Sequence, residues 1–347
     1  MRKANFHYNI LHEARVDNTD LQIIRLLAKD SRTHHNNIAS TVGITPSAAK
    51  QRINKLVSTG VIERFAVVIN PVIFGYEQEC FLIVKNIDKT IKEQDIFKKA
   101  SLLGDIFLYI EQLEQAAASF LLLVRKEVED RIKILTELLK PAEVEIIFGN
   151  FKPVKMRILG SDLEIMKCLL SDSQMLVGDI AKQTSLSRKT VARRLEKMRE
   201  NRILQFTTLT DLSSIHTTGY IEFVVLIRVH GSYHQNVVQR IYNEMQEYIL
   251  HPLDELPQYP INYSISYRRE VVIASFCCAN ISTVNLILRR LESYDGVNKV
   301  EPITITSGRF YQDWLRNEID KRIISQKYSL PSSASPPSAA TTTTDDA

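Results

Sequence analysis

The chain has 347 residues, 44% hydrophobic and 24% charged, with a formal net charge of +4. That length accommodates two or more domains with sizeable cores, and the composition is that of a globular protein. So small a net charge excludes a globally basic nucleic-acid binder and leaves room only for a local basic footprint. No apolar run approaches the ~18 residues of a membrane span, so no membrane partner is expected. The first residues, MRKANFHYNILHEARV, have no continuous apolar core of a secretion signal. Cys80, Cys168, Cys277 and Cys278 lie among apolar neighbours with no metal-ligand spacing, as reduced core thiols would. A cytoplasmic location is the expectation.

From residue 20 the chain reads as three short helices. Leu21, Ile24 and Leu27 form a stripe at helical spacing. A short second helix over 36–41 turns Ile38 and Ala39 inward, and Val42-Gly43-Ile44 makes a tight turn. A third helix follows, with Thr45 as N-cap and Pro46 at its first position. Its inward residues are Ala49, Ile53 and Leu56. At 100° per residue its outer face holds Ser47, Lys50, Gln51 and Asn54. Arg52 falls at the boundary of the apolar face, so its stem should pack while its head reaches a phosphate or a carboxylate. Lys55 adds another cation. His34-His35 sits between the first two helices without a Cys or carboxylate at ligand spacing, so it reads as solvated or phosphate-near and not as a metal site.

Beyond this unit the period changes. Strands are expected at 76–86, 105–113, 117–124 and 144–148, with helices at 91–103 and 128–140. The order is βαββαβ, the ferredoxin-like arrangement.

The chain then repeats itself. Residues 20–62 align without a gap on 162–204, an offset of 142. Asp20/Asp162, Leu27/Leu169, Asp30/Asp172, Ile38/Ile180, Arg52/Arg194 and Lys55/Lys197 are identical pairs. The second copy's third helix lies in SRKTVARRLEKMREN, where six of fifteen residues are Lys or Arg. Ser187 caps it; Val191, Leu195 and Met198 point inward. Arg188, Lys189, Arg193, Arg194, Lys197 and Arg199 form a basic array. A charge run is most often a solvated surface. Here it recurs on a capped helix after a tight turn, and two such units in register suggest helix-turn-helix recognition of double-stranded DNA. Arg and Lys suit phosphate or guanine edges, and Gln51 and Asn54 suit adenine. The first copy then supplies more base reading and the second more phosphate contact.

A second βαββαβ follows, with strands at 220–229, 262–267, 271–278 and 297–305 and helices at 234–250 and 281–294. Val224, Leu226 and Ile273 make the sheet's other face apolar. Such a face needs a cover, so a homo-oligomer or an intramolecular pseudo-dimer is expected. The loop HPLDELPQYP (251–260) carries three prolines and the solvated pair Asp254-Glu255. A last helix is expected within 307–324. The stretch 329–347, rich in Ser, Pro, Ala and Thr, lacks the apolar residues to order itself.

These motifs resemble the leucine-responsive regulator (Lrp/AsnC) family of prokaryotic transcription factors. The resemblance rests on D-x-x-D-x-x-I-I-x-x-L-x-x-D-S-R (17–32), I-A-x-x-V-G-I-T (38–45), R-I-x-K-L-x-x-x-G-V-I (52–62) and N-P-x-x-x-G (70–75). It spans roughly residues 14–306 as two tandem units, where the family usually has one. It implies an α+β fold: two tandem repeats of a winged helix-turn-helix unit followed by a ferredoxin-like effector and dimerisation domain. The expected boundaries are 14–64, 65–152, 158–206 and 207–306, then a helix over 307–326 and a disordered tail over 327–347. The resemblance also implies a possible small-molecule effector, such as an amino acid, at a Gly-Asp stretch. Gly104-Asp105 fits it; the second copy has Ile261-Asn262-Tyr263 there and lacks it.

Two alternatives stand beside the regulator. One is a scaffold that senses small molecules without binding DNA. The other is a fused relative of sirohaem decarboxylases, whose His-Asn-Tyr-x-Arg stretch survives here only as Asn262-Tyr263, with Ile261 and Ile265 in place of His and Arg. No Walker loop, G-x-G-x-x-G, G-x-S-x-G or H-E-x-x-H occurs, so neither an enzyme nor a cofactor is expected.

Overall fold

The computed structural model describes residues 16–328 except 89, 114–116, 126–127, 152–153, 212–218 and 250–269. The expected strand at 262–267, the proline-rich loop and the tail therefore lie outside the described residues. So do Ile261, Asn262, Tyr263 and Ile265.

The first unit contains α1 (Asn18–Lys29), α2 (His35–Val42) and α3 (Pro46–Ser58). The second contains α6 (Gly160–Ser171), α7 (Val177–Thr184) and α8 (Arg188–Glu200). The turns match the sequence reading. Gly43 takes the left-handed conformation at φ 74°, and Ser185 takes it at φ 55° despite its side chain.

Each unit leaves through a strand, β1 (Ile62–Ile69) or β6 (Leu204–Thr210). The two strands pair with each other, antiparallel, with Phe65 opposite Thr208 and Ala66 opposite Thr207. The repeat offset carries Phe65 onto Thr207 and Ala66 onto Thr208. The ribbon is therefore its own image when the copies are exchanged, and its midpoint marks a pseudo-two-fold axis. Other contacts between the units run along the ribbon. Thr207 Oγ1 donates to the Ala28 carbonyl, and Arg32 donates to the carbonyls of Ser173 and Met175. Arg32 also lies 3.9 Å above the Phe206 ring.

The first α/β half runs β2 (Gln78–Lys85), α4 (Glu93–Ala100), β3 (Asp105–Gln112), β4 (Ala118–Val124), α5 (Glu129–Leu139) and β5 (Glu143–Asn150). The second shows β7 (Ile221–Val229), α9 (His234–Met245), β8 (Val271–Cys278), α10 (Ile281–Glu292) and β9 (Val297–Phe310). Together they build one seven-stranded sheet of order β5-β2-β4-β3-β9-β7-β8. The first four strands have the ferredoxin-like order.

The join is made by β9. It pairs with β7 and then continues alongside β3, with Leu108 opposite Phe310. The sequence reading placed 307–310 at the start of the last helix. Those residues extend β9 instead, because the edge of β3 offers them backbone partners. The last helix, α11 (Asp313–Tyr328), starts three residues later.

The sheet curls on itself. Arg228 on β7 bonds to Glu145 on β5, the far edge strand, at 2.6 Å. Both side chains lie on the face opposite the helices. That face carries Val224, Leu226 and Ile273 from one half and Phe81, Ile83 and Leu121 from the other, all in one buried cluster. The apolar face expected to need a cover finds it within the chain. The opposite faces pack on their own helices as two separate cores, one for each half.

Candidate nucleic-acid interface

Each recognition helix is set by a local cap. Thr45 Oγ1 accepts from the Ala48 N–H at 3.2 Å, and Ser187 Oγ accepts from the Thr190 N–H at 3.0 Å. Ala49 and Leu56 anchor α3 in the core; Val191, Leu195 and Met198 anchor α8. The outer faces stay in water. Ser47, Lys50, Gln51, Asn54 and Lys55 are exposed on α3, and Arg188, Lys189, Arg193, Lys197 and Arg199 on α8.

These cations are not equivalent. Lys189, Arg193 and Lys197 have no ion-pair partner among the described residues. Arg188 folds back over α7, where a Cβ added to Gly178 would meet its Nε at 3.3 Å. Arg199 bonds to Asp30 of the other unit at 2.7 Å. It is part of the seam between the units.

Arg52 and Arg194 lie elsewhere. Arg52 bonds to Asp17 and Asp20, each at 2.8 Å. The bonds to Asp20 and then Asp17 raise the guanidinium pKa further. Arg194 is buried and donates through Nε and Nη2 to Asp162, whose side chain is fully buried. Asp20 and Asp162 also accept from the backbone at the starts of α1 and α6, from the Asp17 and Leu159 N–H groups. Each Arg thus fastens a recognition helix to the first helix of its unit. The head groups reach carboxylates, one of the two partners that the sequence allowed. Recognition helix and support are joined by the same residue pair in both copies, a signal visible in the repeat.

His34 has a structural role. Its Nδ1 accepts from the Asn36 N–H at 3.3 Å, capping α2, and its ring stacks on His35 at 4.0 Å. No metal-binding cluster of His, Cys, Asp or Glu occurs among the described residues.

A second site lies in the first α/β half. A cavity of about 520 Å³ opens around Gly104 and Asp105. Gly104 is required for steric reasons, since a Cβ there would lie 2.1 Å from the Leu123 carbonyl oxygen. Asp105 accepts from the Tyr76 hydroxyl at 2.5 Å. Burial and then this bond raise the Tyr76 pKa and keep the phenol protonated. Arg125 lies over the Tyr76 ring at 4.2 Å and also lines the cavity. The sequence reading missed the opposite wall, which is Trp314 and Asn317 of α11.

A winged helix-turn-helix DNA-binding family model matches residues 16–63 and 159–205. A helix-turn-helix transcriptional regulator of Pyrococcus horikoshii is 32% identical over 105 residues, which cover 27% of this chain and 66% of the relative. The regulatory protein AsnC of Haemophilus influenzae is 31% identical over 87 residues, covering 24% of this chain and 58% of AsnC. The chain is a tandem, two-unit member of the Lrp/AsnC family. These matches span about two thirds or less of the relatives' own lengths. Among solved structures, the siroheme decarboxylase NirDL has a TM-score of 0.50 and 15% identity, covering 90% of this chain and 99% of NirDL. At that identity the likeness extends this Lrp/AsnC tandem's fold over nearly its whole length, and shows the fold alone. No described helix is long and apolar enough to cross a membrane.

Proposed function

We propose that this chain is a sequence-specific, duplex-DNA-binding transcriptional regulator whose two unequal recognition helices read the two halves of an imperfect palindrome. The observation that carries the reading is the pairing of two exposed recognition faces across the self-symmetric β1–β6 ribbon. Palindromic operators mirror two-fold protein symmetry, with half-sites about one helical turn apart, roughly 34–36 Å. In α3, Ser47, Lys50, Gln51, Asn54 and Lys55 face DNA. Gln51 and Asn54 suit adenine edges. In α8, Arg188, Lys189, Arg193 and Lys197 supply mainly phosphate contact. Arg52, Arg194 and Arg199 act indirectly by holding the helices in place. A small molecule such as an amino acid, held around Gly104 and Asp105, modulates binding; Asp105, Arg125 and Arg131 offer charges of both signs there.

The test is duplex binding by the full chain over a series of salt concentrations, with wild type, Arg193→Ala and Gln51→Ala. Binding should weaken steeply with salt. Arg193→Ala should lower affinity on every sequence and reduce the salt slope by about 1. Gln51→Ala should mainly relax sequence choice. A chain that binds no duplex even at low salt overturns the reading. Incubation of that same chain with sirohaem then tests for decarboxylation.

A further inference from the structure

The two units are tied to the α/β body by different means. In unit 1, Arg25 on α1 donates to the backbone carbonyls of Glu247 and Ile249 beyond α9. These carbonyls belong to the short 3-10 turn Gln246–Tyr248 and the residue after it, with no described α-helix in between, and a cavity of about 560 Å³ lies beside Gln22, Arg25, Leu26 and Lys29. The repeat aligns Arg25 with Lys167 on α6. There a helix does intervene. Lys167 pairs with Asp320 of α11 at 2.7 Å, and Arg316 of α11 donates to the Leu170 carbonyl at 2.9 Å.

The same helix forms a wall of the Gly104–Asp105 cavity. Trp314 and Asn317 line it, and Trp314 meets the Tyr76 ring edge-on at 5.4 Å. Glu318 pairs with Arg125, another lining residue, at 3.1 Å. Leu315 and Ile319 bury the stem of α11 in the main core. One rigid helix therefore touches the cavity within a turn or so of where it touches α6.

We propose that α11 couples the contents of the Gly104–Asp105 cavity to the second recognition unit alone, so that a ligand there acts on one half-site reader and not on both. The inference rests on the regulator reading above for its consequence, but the mechanical coupling stands without DNA. Packed elements shift between discrete positions and do not deform smoothly. Bulk pressed against Trp314 must move the helix that carries it, and α6 lies on its other side. Coupling is reciprocal, so duplex bound by α8 should also alter the cavity.

The test uses the full chain with Ser101→Cys, an exposed position on the cavity rim. N-ethylmaleimide attached there supplies bulk in place of a ligand; the four native cysteines are buried. Hydrogen exchange of α6 and α8 is compared with that of α1 and α3, labelled against unlabelled. The labelled protein should exchange several-fold faster in α6 and α8 only. Adding Arg316→Ala and Asp320→Ala, which removes the polar ties to α6 and keeps Glu318–Arg125, should shrink that difference several-fold. Equal change in both units, change in neither, or a change that survives the double variant unaltered overturns the proposal. Duplex binding on the same samples separates the two readings. Selective exchange without any DNA binding leaves the coupling intact and removes only the regulator.

Discussion

Replacing Arg194 by Met should loosen the second recognition unit far more than replacing Arg52 by Met loosens the first. Asp162 is fully buried, and Arg194 satisfies both of its oxygens. Without Arg194 the carboxylate keeps, among the described residues, only the Leu159 N–H at 2.8 Å. Breaking a buried pair by removing one partner costs about 3–5 kcal/mol, because an uncompensated charge stays behind. Asp20 is almost as buried, at 1%, but the Arg52 side chain beside it is 34% exposed and Asp17 is 52% exposed, so water takes the place of the guanidinium once it is gone. A loss of about 1–2 kcal/mol is expected there, in the range of a partly solvated charged hydrogen bond. Hydrogen exchange reads the local opening free energies of α6 and α1 separately. The combined change Arg194→Met with Asp162→Asn should recover much of the loss, since no charge is then stranded. A loss below about 1 kcal/mol at α6, or one equal to that at α1, would refute the reasoning.

Three further outcomes are expected. Glu222 is buried on β7, where the Ser275 hydroxyl donates to it at 3.3 Å, and burial pushes its pKa from 4.5 up to about 7 despite that bond. The folded state therefore holds the proton more tightly; stability is fully present below about pH 4.5 and declines as pH rises through about 7, by on the order of 3 kcal/mol. Urea denaturation across this range should show the decline in wild type and a flatter profile in Glu222→Gln. Gly104→Ala should lower stability by about 1–3 kcal/mol, read from the thermal midpoint, because the Leu123 carbonyl has to move away. Arg199→Ala should leave the salt slope of duplex binding closer to wild type than Arg193→Ala does, since Arg199 is held by Asp30.

Periodicity and capping gave most of the elements. Thr45, Ser187 and the inward residues of α3 and α8 could be assigned from local sequence, because caps and stripes depend only on neighbours a few residues away. The recurrence of the same signals at a fixed offset made each copy evidence for the other. What escaped was non-local. The burial of Arg194 depends on Asp162 in another helix, and the hold on Arg199 depends on Asp30 in the other unit. Nothing in the residues of β9 announces that it leaves one half of the sheet to finish along the other. Nor did the Gly104-Asp105 stretch reveal that Trp314, two hundred residues later, faces it across the cavity. Ser185 takes the left-handed turn at φ 55° although its residue type argued against it, a case of tertiary context outweighing local preference.

The self-symmetric ribbon also changes how such a molecule responds to dilution. Two separate subunits that present paired recognition helices lose that pairing when scarce, and their DNA occupancy falls with a higher power of concentration. With β1 and β6 on one polypeptide, pairing is a folding event whose partner is always at hand. Occupancy then rises in simple proportion at low protein levels. The covalent link also ensures that every molecule carries one α3 and one α8, so each face is free to change without being duplicated in its partner.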